Sequence, residues 1–139
     1  MNEIKVISFG KIRESYILQG IDEYSKRLSA FCKLSFVELK EEGIAKESEK
    51  VLKYNSESTF LLDDKGKEMS SIEFASFLKQ NEQVAFIIGS SDGILPEVKK
   101  QFRLVSLSKM TFLHEMTKLI LLEQIYRGYM INAGRVYHK

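Results

Sequence analysis

A chain of 139 residues, 44% hydrophobic and 29% charged, has an ordinary globular composition and suffices for one domain, residues 1–139, burying roughly two thirds of its unfolded surface. One cysteine, Cys32, excludes an internal disulfide, and no apolar run reaches the roughly eighteen residues of a membrane span before Lys118, Glu123 and Arg127 interrupt it. The net charge of +2 is small but unevenly spread: residues 94–139 hold eight Lys/Arg against three Asp/Glu, a balance of +5, leaving −3 for the first 93.

In chain order, Met1-Asn2-Glu3 passes directly into a strand pattern with no signal peptide, so the expected location is cytoplasmic. Ile4–Gly10 is rich in β-branched residues, closes with glycine and predicts a first strand. Ile17, Ile21, Tyr24 and Leu28 recur at helical spacing within Ser15–Phe31, with Gly20 as a weak point. Leu34–Leu39 predicts a second strand, and Lys40–Asn55 a loop followed by a peripheral helix. Thr59–Leu62 predicts a short third strand ended by a turn at Asp63-Asp64-Lys65-Gly66. Ser70 and Glu73 form a capping-box pattern, opening a helix whose apolar side is Ile72, Phe74, Phe77 and Leu78.

Val84-Ala85-Phe86-Ile87-Ile88 then predicts a fully buried strand, closed by Gly89 and Gly93, where the backbone can turn sharply and approach a ligand. Pro96 suits the first position of a short helix, and Arg103–Leu107 predicts a fifth strand running into Ser108-Lys109-Met110-Thr111-Phe112. The helix from Leu113 to Asn132 is apolar on more than one side, so it must be buried on two, one of which is expected to face a second subunit. Strands alternating with helices predict an α/β fold with a mainly parallel sheet and helices on both faces. In such sheets ligands bind at the carboxyl ends of strands, so the loops after Ile88 and Leu107 are expected to share one pocket.

Motifs narrow the chemistry. No Gly-x-Gly-x-x-Gly and no Gly-Lys-Ser/Thr phosphate loop occurs. Gly89-Ser90-Ser91-Asp92-Gly93 matches the Gly-x-Ser-x-Gly of α/β hydrolases, with Ser91 as nucleophile and His114 or His138 as base, but the one later strand ends without an acid. His114-Glu115 begins a zinc-protease pattern, yet Lys118 stands where the second histidine is needed, and no metal is expected. Lys109 reads equally well as a surface lysine. The basic last third suggests a polyanionic partner, which leaves a non-catalytic RNA-binding module as a further alternative.

Four segments together carry a resemblance. Ile87-Ile88-Gly89 with Gly93, Leu107–Phe112 with His114, Glu123-Gln124-Ile125-Tyr126-Arg127, and the terminal Tyr137-His138-Lys139 resemble the RlmH family of small SPOUT-class methyltransferases, almost from end to end. The resemblance implies an α/β fold whose C-terminal part is a trefoil knot, S-adenosylmethionine held in that knot, and a working homodimer. It implies methylation of N3 of a pseudouridine in the helix 69 stem-loop of bacterial 23S ribosomal RNA, with the ribosome or its large subunit as partner. Carried over by position, the cofactor contacts fall on Leu62, Gly89, Leu107, Ser108, Lys109, Met110, Thr111 and Phe112. Tyr137 and His138 would orient the base, lent by the second subunit, with His138 a candidate proton acceptor. Arg127, Arg135 and Lys109 would hold phosphates. Three positions depart from the family pattern: Ser90 replaces a usual glycine, Leu113 a proline and Lys118 an arginine. The Lys40–Glu47 loop is also shorter than usual.

Overall fold

A computed structural model describes residues Met1–Lys139. Its elements are β1 (Asn2–Phe9), α1 (Ser15–Leu28), β2 (Cys32–Leu39), α2 (Ile44–Leu52), β3 (Thr59–Glu68), α3 (Ser71–Gln80), β4 (Gln83–Ile87), α4 (Pro96–Lys99), β5 (Arg103–Ser106) and α5 (His114–Asn132). The five strands form one sheet in the order β2-β1-β4-β3-β5, and every pairing is parallel.

Side chains alternate across the sheet with the period of two that a strand imposes. Ile4, Val6, Phe60, Val84 and Phe86 face one side, where α1 contributes Ile17, Ile21 and Leu28, α3 Phe74 and Leu78, and α5 Leu121, Leu122, Ile125 and Tyr129. Ile7, Phe9, Leu61 and Ile87 face the other, beneath Val51 of α2 and Val98 of α4. Helices on both faces are thus found as expected. The capping box is also formed: the Ser70 hydroxyl accepts from Glu73 N at 3.1 Å, and the Glu73 carboxylate accepts from Ser70 N at 2.8 Å.

Two expectations are corrected. The segment Asp63–Gly66 is not a turn that ends β3, because the strand runs on to Glu68. Val105 of β5 is matched first with Leu62 and again with Lys67, so the residues between them bulge out of the ladder. Gly66 lies directly on the β5 main chain: a Cβ there would stand 2.6 Å from Val105 N and 2.7 Å from Leu104 C.

The second correction concerns α5, whose two-sided burial is largely supplied within the chain. It packs between α1 and α3. On the α1 side, a Cβ at Gly20 would meet Leu119 Cδ1 at 2.8 Å; on the α3 side, a Cβ at Gly128 would meet Leu78 Cδ1 at 2.7 Å. Gly20 is therefore a docking position, whatever it costs the helix in propensity.

Polar groups on α5 fix its placement. The buried Glu115 carboxylate accepts from Arg13 N at 2.9 Å and Glu14 N at 3.2 Å, at the start of a helix whose own N-cap residue makes no side-chain cap. Lys118 is 8% exposed, donates to the Ser8 hydroxyl at 3.3 Å and lies 4.6 Å from the Phe36 ring centre. Its charge is thus turned inward, away from any RNA phosphate.

Two outcomes follow from this packing. Gly66→Ala pushes a methyl group into main chain that cannot yield, and a loss of about 3 kcal/mol or failure to fold is expected in denaturant titration. Burial holds the Lys118 pKa below its ordinary 10.5, with Glu38 opposing more weakly. A charged lysine with a lowered folded-state pKa costs stability, and the cost disappears as pH rises from the folded value through the unfolded one. Lys118→Met should therefore raise Tm at pH 7 by a few degrees, with the difference shrinking in melts toward pH 10.

Candidate active site

Leu62 in β3 and the loops following β4 and β5 meet at the carboxyl end of the sheet around a cleft of about 360 Å³. The glycines shape one rim. Gly93 takes φ +78°, and its N–H closes a turn onto the Ser90 carbonyl at 2.9 Å. Ser106 and Ser108 organise the other: the Ser106 hydroxyl donates to the Ser108 carbonyl at 2.8 Å, and the Ser108 hydroxyl accepts from Met110 N at 3.0 Å.

The lining divides by chemistry. Leu62, Ile88, Leu107, Met110 and Phe112 give apolar surface, while Asp63, Asp64, Ser108, Thr111 and His114 are polar. Asp63 meets Lys99 Nζ at 2.7 Å and accepts from Lys65 N at 2.9 Å. Burial alone would push the Asp63 carboxyl up, but Lys99 and the Lys65 amide together outweigh it and hold the pKa below the usual carboxylate range. Asp63 is thus a carboxylate near neutral pH, and its charge is balanced by Lys99, which lines the same cleft. The Nδ1 of His114 is buried without a hydrogen-bond partner.

Of the residues expected to touch a cofactor, Leu62, Gly89, Leu107, Ser108, Met110, Thr111 and Phe112 line this cleft. Lys109 does not: its side chain is 83% exposed and lies 3.6 Å from Glu68. Arg127, Tyr137 and His138 come together with one another, but elsewhere. Arg127 holds Glu123 at 2.9 Å and His138 Nδ1 at 3.0 Å, while the Tyr137 hydroxyl donates to Glu123 at 2.7 Å and meets Tyr24 at 3.1 Å. Burial, followed by the Tyr24 and Glu123 contacts, pushes the Tyr137 phenol well above its ordinary pKa. Arg127 lies thirteen residues beyond His114 on α5, roughly 20 Å along the helix, so the tail cluster and the cleft of one chain stand apart. Arg135 is exposed and rests over Phe31, 5.3 Å from the ring centre.

Asp63, Asp64 and Lys99 were not singled out by the sequence, since an Asp-Asp-Lys-Gly run signals a turn. His114 was noticed as a candidate hydrolase base and as part of the segment carrying the family resemblance. The serine relay itself is not assembled: Ser91 is exposed, no carboxylate bonds His114, and the next helix starts only at Pro96. No group of three His, Cys, Asp or Glu side chains could hold a metal ion, and no helix is long and apolar enough to cross a membrane.

Comparison with known proteins gives a consistent picture. The family described as "Predicted SPOUT methyltransferase" matches residues 2–138. A protein of Caldicellulosiruptor bescii named ribosomal RNA large subunit methyltransferase H is 43% identical, over 98% of this chain and 99% of its own length. Proteins of the same name from Ligilactobacillus salivarius and Clostridium novyi are 41% and 43% identical, each again over 98% of this chain and 99% of the relative. With an all-parallel sheet, a glycine-turned cleft at its carboxyl end and a match along almost its full length, the chain belongs to the SPOUT methyltransferase family.

Proposed function

We propose that the chain transfers a methyl group from S-adenosylmethionine to large-subunit ribosomal RNA, at N3 of a pseudouridine in the helix 69 stem-loop. The observation that carries this reading is the cleft itself, with an apolar wall on one side and the ionised Asp63 on the other. An adenine ring suits Leu62, Leu107, Met110 and Phe112; a donor that carries positive groups and a carboxylate suits a rim of Asp63, Asp64 and Lys99; the volume of about 360 Å³ is that of a small-molecule site. The donor brings a methyl group already activated on a sulfonium, leaving the protein to align it with the base.

Within one copy, Arg127, Tyr137 and His138 do not reach the cleft. Their separation supports a homodimer in which the tail of one copy completes the cleft of the other, and the exposed Met110 and Leu113 beside the cleft are apolar surface that such a partner would cover. Arg127 can only donate, so Nδ1 of His138 accepts and the neutral ring carries its hydrogen on Nε2. In that tautomer Nε2–H can donate to a carbonyl oxygen of the base, and Nδ1, once Arg127 turns to an RNA phosphate, can take the N3 proton as the methyl group leaves the sulfonium. Lys109 and Arg135, both exposed, remain available to phosphates. The reading includes a single domain acting in the cytoplasm and a trefoil knot, which the family match supports.

Labelled methyl transfer from S-adenosylmethionine to ribosomes lacking the modification, followed by nuclease mapping, tests the substrate: label on the helix 69 pseudouridine is expected, and cofactor binding with no label would reject it. His138→Ala should lower turnover on the order of a hundredfold while leaving cofactor affinity unchanged, in a species of nearly twice 16.1 kDa by light scattering. A monomer at micromolar concentration, or unaltered turnover, would reject the shared site.

A further inference from the structure

Glu47 is 1% exposed, a degree of burial that a carboxylate tolerates only when its oxygens are satisfied. No cation pairs with it. Its Oε2 accepts from Glu42 N at 2.8 Å and Gly43 N at 2.9 Å, in the loop before its own helix. Its Oε1 accepts from the Ser90 hydroxyl at 2.5 Å, from a residue forty-three positions away that directly follows Gly89. Ser90 is itself 9% exposed, and its oxygen also accepts from Asp92 N at 3.3 Å. One position along α2, the fully buried Ser48 hydroxyl accepts from Leu95 N at 2.8 Å. The first turn of α2 therefore grips both ends of the stretch from Ser90 to Leu95, which has no regular structure of its own.

We infer that Glu47, acting through Ser90, is a positioning residue for the methyl-donor site. Glu47 and Ser48 do not line the cleft, yet they hold the Gly89–Gly93 rim in the shape the cleft requires. A rim held this way is organised before the ligand arrives, so the ligand does not bear the cost of ordering it. The tie needs a hydroxyl at position 90. The inference rests on the reading of the cleft as the S-adenosylmethionine site.

Titration calorimetry with S-adenosylmethionine tests it on the full chain. Ser90→Ala should weaken binding about tenfold, the factor expected if the competent rim falls to about a tenth of the population. Ser90→Thr, which keeps the hydroxyl, should restore affinity to within about twofold. In Ser90→Ala, amides 89–95 should exchange hydrogen faster, and KM for the donor should rise with kcat at saturation unchanged. Ile21→Val, in the core on the opposite face of the sheet, should lower Tm and leave Kd alone, separating the tie from general destabilisation. Should Ser90→Ala not fold, Ser48→Ala loosens the far end of the same rim, and the same loss of affinity is expected. Equal affinity in the wild-type and Ser90→Ala chains would overturn this inference and leave the reading of the cleft intact; no binding by the wild-type chain would overturn both.

Discussion

The contact between Gly66 and the peptide joining Leu104 to Val105 sets where two strands can lie. Only a hydrogen atom fits between them. Because β3 must pass this point against β5, Leu62, Asp63 and Asp64 are delivered to the same end of the sheet as the loop that begins at Leu107. Had β3 ended in the turn its Asp-Asp-Lys-Gly sequence signals, the carboxylates would have belonged to solvent. The placing of the cleft's carboxylates thus depends on a packing constraint set by a residue with no side chain.

Helix α5 carries the consequences outward. Its first turn brings His114 and Thr117 to the cleft and buries Glu115, Lys118 follows as a second polar anchor, and farther along Glu123 and Arg127 support the tail. One rod thus holds both halves of the candidate site at a fixed separation. In the proposed dimer, the same rigidity that keeps a chain's tail away from its own cleft would fix the orientation in which that tail meets another copy. In this respect α5 acts as a spacer as much as a core element, in keeping with apolar residues distributed around its circumference rather than gathered on one stripe.

What the sequence disclosed were features whose physics is local. Strand β4 announced itself through an unbroken β-branched and aromatic run, α3 through Ser70 and Glu73, and the cleft through glycines placed where a strand stops. What it withheld depends on partners far along the chain. Asp63 reads as a turn residue until Lys99 stands 2.7 Å away; Gly20 reads as a weak point until Leu119 docks on it; Lys118 reads as a stand-in for the family's arginine until Ser8 and Phe36 enclose it. Ser90 was seen as a departure from a family pattern, but nothing nearby in sequence names Glu47 as its acceptor. The family resemblance supplied cofactor positions that periodicity could not, and Lys109 is the one whose side chain lies outside the cleft.

The two faces of the sheet are unequal. Seventeen buried residues form the layer with α1, α3 and α5, against eight beneath α2 and α4, the latter a single turn of helix. Cooperative opening should begin in the thinner layer, where least apolar surface must be exposed. The cleft straddles the border: the Leu107–His114 rim joins the thick layer through α5, and the Gly89–Ile94 rim belongs to the thin one. A ligand seated between them therefore acts as a clamp across two parts of unequal durability. By mass action its binding energy protects the weaker layer from local unfolding and from proteases, so with the methyl donor as the proposed ligand, donor supply would set the lifetime of the folded chain as well as its rate of work.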